Sequence, residues 1–297
     1  MSDCLVSYII ITRNRFDKCL KVLRNVFSQD WPAKNIVLID DDSSCPLSEH
    51  VERKYPEVTL VKNKKRLGIP ESRNVGIQKA SGDVLIFIDD DALFIEKYST
   101  AEIVRIFKEN PKAGILSLAV LDMGSGDYGR KEIPRKDKKV PDDLSEIAYF
   151  TGTGFAIKRD ILEKTGIFDG TFFAANEELD LSYRVLKAGY HIYYLKKVKV
   201  LHDSTPENTL KWFEPYYTFR NRVIVALRYL PFPYHVLHII FWTFHSFSKA
   251  VYGKKWNEFW RALKDVYPMW KRDPLKRYPM DRNLVKKIKS LSGRILY

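Results

Sequence analysis

Residues 6–12 read VSYIIIT, apolar or β-branched at every position but Ser7, whichever way they point. A run of that length without alternation predicts a parallel strand covered on both faces. From 17 to 28 the period changes, with Cys19 and Leu20, Leu23, then Val26 and Phe27 recurring at helical spacing. Pro32 keeps Trp31 out of the α region and stops that helix. Residues 35–40 (NIVLID) and 58–62 predict strands, and 70–80 (PESRNVGIQKA) a helix with Pro70 in its first turn. A Ser81-Gly82-Asp83 turn leads into a fourth strand over 84–89. Strands and helices in this order predict an open α/β sheet.

Further along, 99–109 and 177–188 predict helices, and 113–120, 150–157 and 192–201 predict strands. Residues 122–145 are polar and rich in Gly, Pro and charge, which predicts a mobile loop inside the domain. Past Thr205 the pattern changes. Residues 223–253 are aromatic and apolar, but Pro231, Pro233 and three histidines interrupt them. The segment 234–251 has the minimum length of a span yet carries His235, His238, His245 and Lys249. Three readings stand for it: a transmembrane helix, a helix lying in a membrane interface, and a helix packed on the main domain. The interfacial helix is the expectation, because Trp and Phe rings sit well at a headgroup boundary.

Charge sharpens that expectation. The 297 residues carry a formal net charge of +13, and from Thr205 onward 18 Lys and Arg face 6 Asp and Glu. The first 204 residues are close to balance, 32 basic against 31 acidic. The excess therefore lies beside the apolar stretch, which points to an anionic membrane surface and away from nucleic acid. Cys4, Cys19 and Cys45 lack metal-ligand spacing and read as reduced thiols. The N-terminus lacks the basic start of a signal peptide. These features predict a cytoplasmic protein, peripheral on the cytosolic face of the cell membrane.

Two of the strands end in three aspartates, LIDDDSS at 38–44 and FIDDDALF at 87–94. Ligands of parallel α/β sheets bind at the carboxyl ends of strands, so both triplets should face one crevice. Side-chain alternation points Asp89 and Asp91 one way and Asp90 the other. Such a pair suits a hard divalent cation, although a triplet alone also reads as a solvated turn.

The stretches SYIIITRNR, IVLIDDDSS, NKKRLGIPESRNVGIQKASGDVLIFIDDD, GTGFAIKRDILEKTGIFDGTFF, EELDLSYRVLKAGY and VLHDS come in a telling order and spacing. Through them the chain resembles the family 2 glycosyltransferases, which have the GT-A fold, from about Val6 to His202. The resemblance implies a Rossmann-like open mixed sheet flanked by helices. It implies a catalytic domain over 1–204, with a nucleotide-sugar half to about 95 and an acceptor half from 96. A basic, aromatic, membrane-associating helical extension would follow over 205–297.

The resemblance also assigns roles. Asp40 would hydrogen-bond the nucleotide base, Asp89 would lie near the ribose with Asp90 beside the donor, and Asp91 would reach the metal. Thr12, Arg13, Gly68 and Arg73 fall where the family lines its donor pocket, each with a structural role as the even alternative; Gly68 would let backbone approach the base. His202, at the end of the last strand, would be a second metal ligand. Glu178 would be the catalytic base, with Glu177 as the alternative and Glu a departure from the usual Asp. Crowding with Glu177 and Asp180 should raise the pKa of one of these acids. Asp42 stands where Gly is common, and the cost of burying an unpaired carboxylate predicts that it faces solvent.

The segment KWFEPYYTFRNRV is similar to a YY-x-x-R-N stretch of bacterial and archaeal members that build surface polysaccharides. There Arg220 or Arg222 would offer a fork to pyrophosphate, and Trp212 and Tyr216 would stack on a sugar, with core packing as the alternative. Asp180 joins these as a candidate phosphate or acceptor contact. The activity implied is inverting, by single displacement, dependent on Mn2+ or Mg2+. UDP or dTDP sugars are favoured over GDP sugars as donor, and the acceptor would be a glycan or lipid-linked. The lack of glycine in ITRNRFDK weighs heavily against a sugar nucleotidyltransferase. An inactive domain of the same fold, serving as a membrane-associated binding protein, is the alternative.

Overall fold

The computed structural model describes residues 4–44, 47–203, 214–272 and 277–295. Its first half alternates strand and helix: β1 (Val6–Thr12), α1 (Phe16–Phe27), β2 (Lys34–Asp40), α2 (Leu47–Lys54), β3 (Val58–Lys62), α3 (Ile69–Lys79) and β4 (Val84–Asp89). Then follow β5 (Ala92–Phe94), α4 (Ser99–Glu109), β6 (Ala113–Asp122), β7 (Ser145–Ile147), β8 (Gly154–Lys158), α5 (Arg159–Thr165), a 3-10 turn (Gly170–Phe172), α6 (Glu177–Lys187) and β9 (His191–His202). Four helices complete the described chain: α7 (Glu214–Tyr229), α8 (Tyr234–Gly253), α9 (Trp256–Arg272) and α10 (Arg282–Ser290).

The strands form one sheet in the order β3-β2-β1-β4-β8-β6-β9-β5, with β7 added along β9. The first four are parallel, β8 is antiparallel to both its neighbours, and β5 runs antiparallel to β9. The open mixed sheet expected from the sequence is therefore present. Alternation along β1 splits the core: Ile9 packs on one face, and Val6, Tyr8 and Ile10 on the other. α1, α2 and α4 cover the second face; α3, α5 and α6 cover the first.

Register at the sheet's far edge matters most for chemistry. β5 pairs with the end of β9 so that Ala92 sits opposite His202, and the Asp203 N–H donates to the Asp91 carbonyl at 3.0 Å. Two residues more than 110 positions apart are thereby neighbours.

Three details differ from the sequence reading. Only Gly154–Lys158 of the predicted 150–157 strand pairs as one, because residues 150–153 bend out to line a cleft. Residues 122–145, expected to be mobile, are pinned: Ile133 is buried, the Lys136 N–H donates to the Ser292 carbonyl, and Asp137 pairs with Arg135 and accepts from Ser292. The core also continues past 204. Ile224, Val225, Tyr229, Met280, Val285, Ile288 and Ile295 are buried in the same cluster as β1 and α6. No helix among the described residues is long and apolar enough to cross a membrane.

Candidate active site

The triplet 89–91 divides as strand alternation requires. Asp90 turns inward, accepting from Thr12 Oγ1 at 2.6 Å and from Arg15 at 2.7 Å. Both Thr12 and Asp90 are thus spent on fixing the two strand ends to each other. Asp89, Asp91 and His202 turn together, each offering a ligating atom within 4.8 Å of the others. Arg15 also donates to Asp91 Oδ2 at 2.8 Å, while Asp91 Oδ1 lies 3.4 Å from His202 Nε2. Burial and then the charge of Asp91 raise the Asp89 pKa. Burial opposes charge on His202, but the bond to Asp91 and the charges of Asp89, Asp91 and Glu132 outweigh it and raise its pKa to about 9. Such a set of two carboxylates and one imidazole suits Mn2+ or Mg2+.

The other triplet does different work. Asp41 is buried and accepts from the Leu67 and Gly68 N–H groups and from Asn63, clamping β2 to the loop before α3. Asp40 is fully buried; one oxygen accepts from the Ser43 N–H at 2.8 Å and the other has no partner. Asp42 is half-buried, not fully in solvent, with φ of 65°. That left-handed conformation accounts for glycine being common there and for Asp being tolerated. Gly68, at φ 86°, is also needed as glycine, but a Cβ would meet the Phe173 carbonyl at 2.4 Å. Its close approach is to protein backbone. Arg13 is exposed and outside the cleft.

A cleft of about 280 Å³ opens beside this group, lined by Asp89, Arg73, Glu178 and Gly152 among others. Arg73 is buried, stacked over the Phe155 and Phe168 rings, and donates to Glu177 at 3.2 Å and Glu178 at 3.3 Å. Asn74 instead braces Phe168 by two backbone hydrogen bonds. Glu177 and Glu178 open α6 but differ in setting. Glu177 is buried, and burial followed by the repulsion of Glu178 raises its pKa. Glu178 lines the cleft. The predicted rise therefore falls on the acid that faces away from the cleft. Gly152 makes room for the pair, since a Cβ there would stand 2.2 Å from Glu178 Oε1 and 2.7 Å from Arg73 Nη2.

The turn that delivers Glu178 is strained. Phe173, Ala175 and Asn176 have φ of 58°, 67° and 68°. Buried Asn221 on α7 holds it by donating its amide to the carbonyls of Phe172, Ala174 and Ala175 at 2.7–2.9 Å. Arg220 donates to the Thr171 carbonyl and stacks on Tyr216 and Tyr217, and Tyr216 bonds Asp265. Neither side chain lines the cleft. Asp180 is likewise committed, accepting from Arg184 and Tyr229 at 2.7 Å and pairing with Arg228 at 3.2 Å. It ties α6 to α7. Trp212 lies outside the described residues.

Several cleft residues were missed from sequence: Lys131, Glu132, Gly152 and Arg294. Burial raises the pKa of Glu132, which accepts from Thr153 at 3.1 Å and lies 3.7 Å from His202.

A model of the family described as glycosyl transferase family 2 matches residues 7–166. An uncharacterised glycosyltransferase from Haemophilus influenzae is 27% identical over 112 residues, 38% of this chain and 37% of that protein. Among solved structures, GalNAc-T7 with UDP, GalNAc and Mn2+ superposes with TM-score 0.64 at 18% identity, covering 80% of this chain and 49% of that one. A mannosyltransferase from Pyrobaculum calidifontis in complex with GDP-Man and Mn2+ superposes with TM-score 0.61 at 18% identity, covering 97% and 84%. The chain thus spans well under half of that first relative and about half of the first structure. The family match takes in both aspartate triplets and Arg73 and extends over more than half of the residues, and the chain belongs to glycosyl transferase family 2.

Proposed function

We propose that the chain moves a sugar from a nucleoside diphosphate sugar to an acceptor hydroxyl by one in-line displacement with inversion. The observation that carries this reading is that Asp89, next to Asp91 and His202, shares a single cleft with Glu178. A divalent cation held by Asp89, Asp91 and His202 would supply positive charge to the departing diphosphate. The mutual repulsion of the buried carboxylates and the cluster's hard oxygen donors fit Mn2+ or Mg2+, and both structural neighbours described above hold Mn2+.

Glu178 accepts the acceptor's proton on a carboxylate oxygen. The acceptor oxygen forms its bond to the anomeric carbon, and the bond to the nucleotide oxygen breaks with the electron pair leaving on the phosphate. Arg73 orients Glu178 by donating to it, and buried Glu177, its pKa raised by burial, favours the protonated form and adds little negative charge beside it. The unpartnered Asp40 oxygen supports a base with a ring N–H donor, such as uracil or thymine.

The acceptor in this reading is a glycan or lipid-linked glycan, met at an anionic membrane. α8 and the loop before it expose Phe232 at 78% and Phe244 at 70%, with Trp256 and Trp260 exposed on α9. Aromatic side chains of this kind beside a basic tail suit a headgroup boundary. Catalysis is tested with Glu178→Gln: transfer should fall 10²–10⁴-fold, and NMR of the wild-type product should show the anomeric configuration opposite to the donor's. Retained configuration, or an unimpaired variant, would contradict the mechanism.

A further inference from the structure

Arg294 and Tyr149 share one wall of the cleft, the guanidinium lying 4.6 Å over the phenol ring. Behind them sits Arg222 of α7, its guanidinium 3.6 Å over the Trp242 ring of α8. Burial, and then repulsion by Arg294, push the Arg222 pKa down to about 9. Arg222 Nε and Nη1 are buried without a hydrogen-bond partner, and so is Trp242 Nε1. Lys131 opens on the same cleft, and burial together with Arg294 lowers the Lys138 pKa to about 8.

Nearby acids are engaged elsewhere. Asp137 pairs with Arg135 and Ser292, and Glu132 bonds Thr153 and faces His202. Among the described residues, no carboxylate forms an ion pair with Arg222 or Arg294. His238 donates Nδ1–H to the Ile295 carbonyl at 2.9 Å, and its Nε2 and the Tyr149 hydroxyl are the neutral groups nearby that lack a partner. A buried cation without a counter-charge is costly, and so is a buried donor without an acceptor. Fixed positive charge with donors in excess describes a site that lacks its anion.

We propose that Arg294 and Lys131 on the cleft wall, backed by the charge of Arg222, bind a phosphate or diphosphate ester carried by the acceptor, so that this cleft glycosylates a phosphorylated acceptor. The inference rests on the transferase reading and gives its acceptor a chemical class. Phosphate fits better than a carboxylate because a guanidinium and an ammonium on the cleft wall, with the charge of a second guanidinium behind them, exceed what one carboxylate can neutralise. The donor's diphosphate belongs to the separate group at Asp89, Asp91 and His202.

Calorimetry on the full chain, in EDTA, with inorganic pyrophosphate tests the anion site. Saturable binding is expected, weakened at least tenfold by Arg222→Gln and by Arg294→Gln, with Arg294→Lys retaining most of it. Thermal unfolding identifies any variant that misfolds, and Arg294, which lines the cleft, then carries the comparison. No saturable binding would mean that these charges are neutralised within the protein, and would overturn the proposal. Loss of binding in Asp91→Ala alone, or tighter binding of glucuronate, would also overturn it.

With active enzyme, kcat/KM for a soluble sugar phosphate and for the same phosphate linked to a lipid in vesicles identifies which source is used. Equal kcat/KM for the unphosphorylated sugar would overturn the proposal. Should metal-dependent nucleotide release fail while pyrophosphate still binds, the transferase reading falls and the anion site stands.

Discussion

Gly152 shows how tightly the catalytic residues are set. The Glu178 carboxylate and the Arg73 guanidinium occupy the space a side chain at 152 would take. Gly152→Ala must push one of them away, and displacement by about 1 Å can cost 10²-fold in rate. Transfer by Gly152→Ala should therefore drop by about that factor while nucleotide affinity in calorimetry stays within a few-fold of wild type. A wild-type rate would show that Glu178 is not held where the structure has it. At this scale the sequence was informative wherever a residue's role follows from its place on a strand. Asp89 and His202 end strands and Asp91 sits in the turn between β4 and β5, so topology brings them together. It was silent on Gly152, Glu132 and Arg294, because each gains its role from contacts across distant loops that no local period encodes.

Among the elements, α7 has a part that its aromatic sequence concealed. Its Arg-Asn pair, expected to reach phosphate through Arg220, holds the turn at 171–175 from behind. Three non-glycine residues at positive φ cost on the order of 1–3 kcal/mol each unless their surroundings enforce them. Asn221→Ala would remove the amide from three backbone carbonyls, of which Phe172 keeps the Ala174 N–H, and each carbonyl left unpaired costs about 1–3 kcal/mol. We expect a lower melting temperature together with at least tenfold slower transfer below the transition, because Glu178 follows this turn. A lowered melting temperature with unchanged transfer would separate the clamp from catalysis. The longer elements were legible from their periods. β5 and β7, three residues each, are too short to show one, and α9 and α10 were hidden in a stretch read only for its charge.

At the scale of the molecule, the last third of the chain serves two masters. One face of α7 and α10 completes the sheet's core, and α10 leads to Arg294 in the cleft. The exposed aromatic face of α8 and α9 is the part that the proposed membrane contact would use. Replacing exposed Phe244 and Trp260 by Ser together should abolish pelleting with anionic vesicles while leaving the melting temperature within a few degrees. Binding that persists in the double variant, or that is indifferent to salt, would remove the membrane from the picture. Truncation is a poor substitute for these point changes, since it would strip Val285, Ile288 and Ile295 from the core.

The reading of the whole protein as a metal-dependent sugar transferase depends on Asp89, Asp91 and His202 acting with Glu178 in one cleft. Nucleotide release should be followed from a panel of UDP-, dTDP- and GDP-sugars in Mn2+, Mg2+ or EDTA, for wild type and Asp91→Ala. Release from one donor in the presence of metal, abolished by EDTA and reduced by at least 10²-fold in Asp91→Ala, is the result this structure requires. Release that continues undiminished in EDTA or in Asp91→Ala would contradict it.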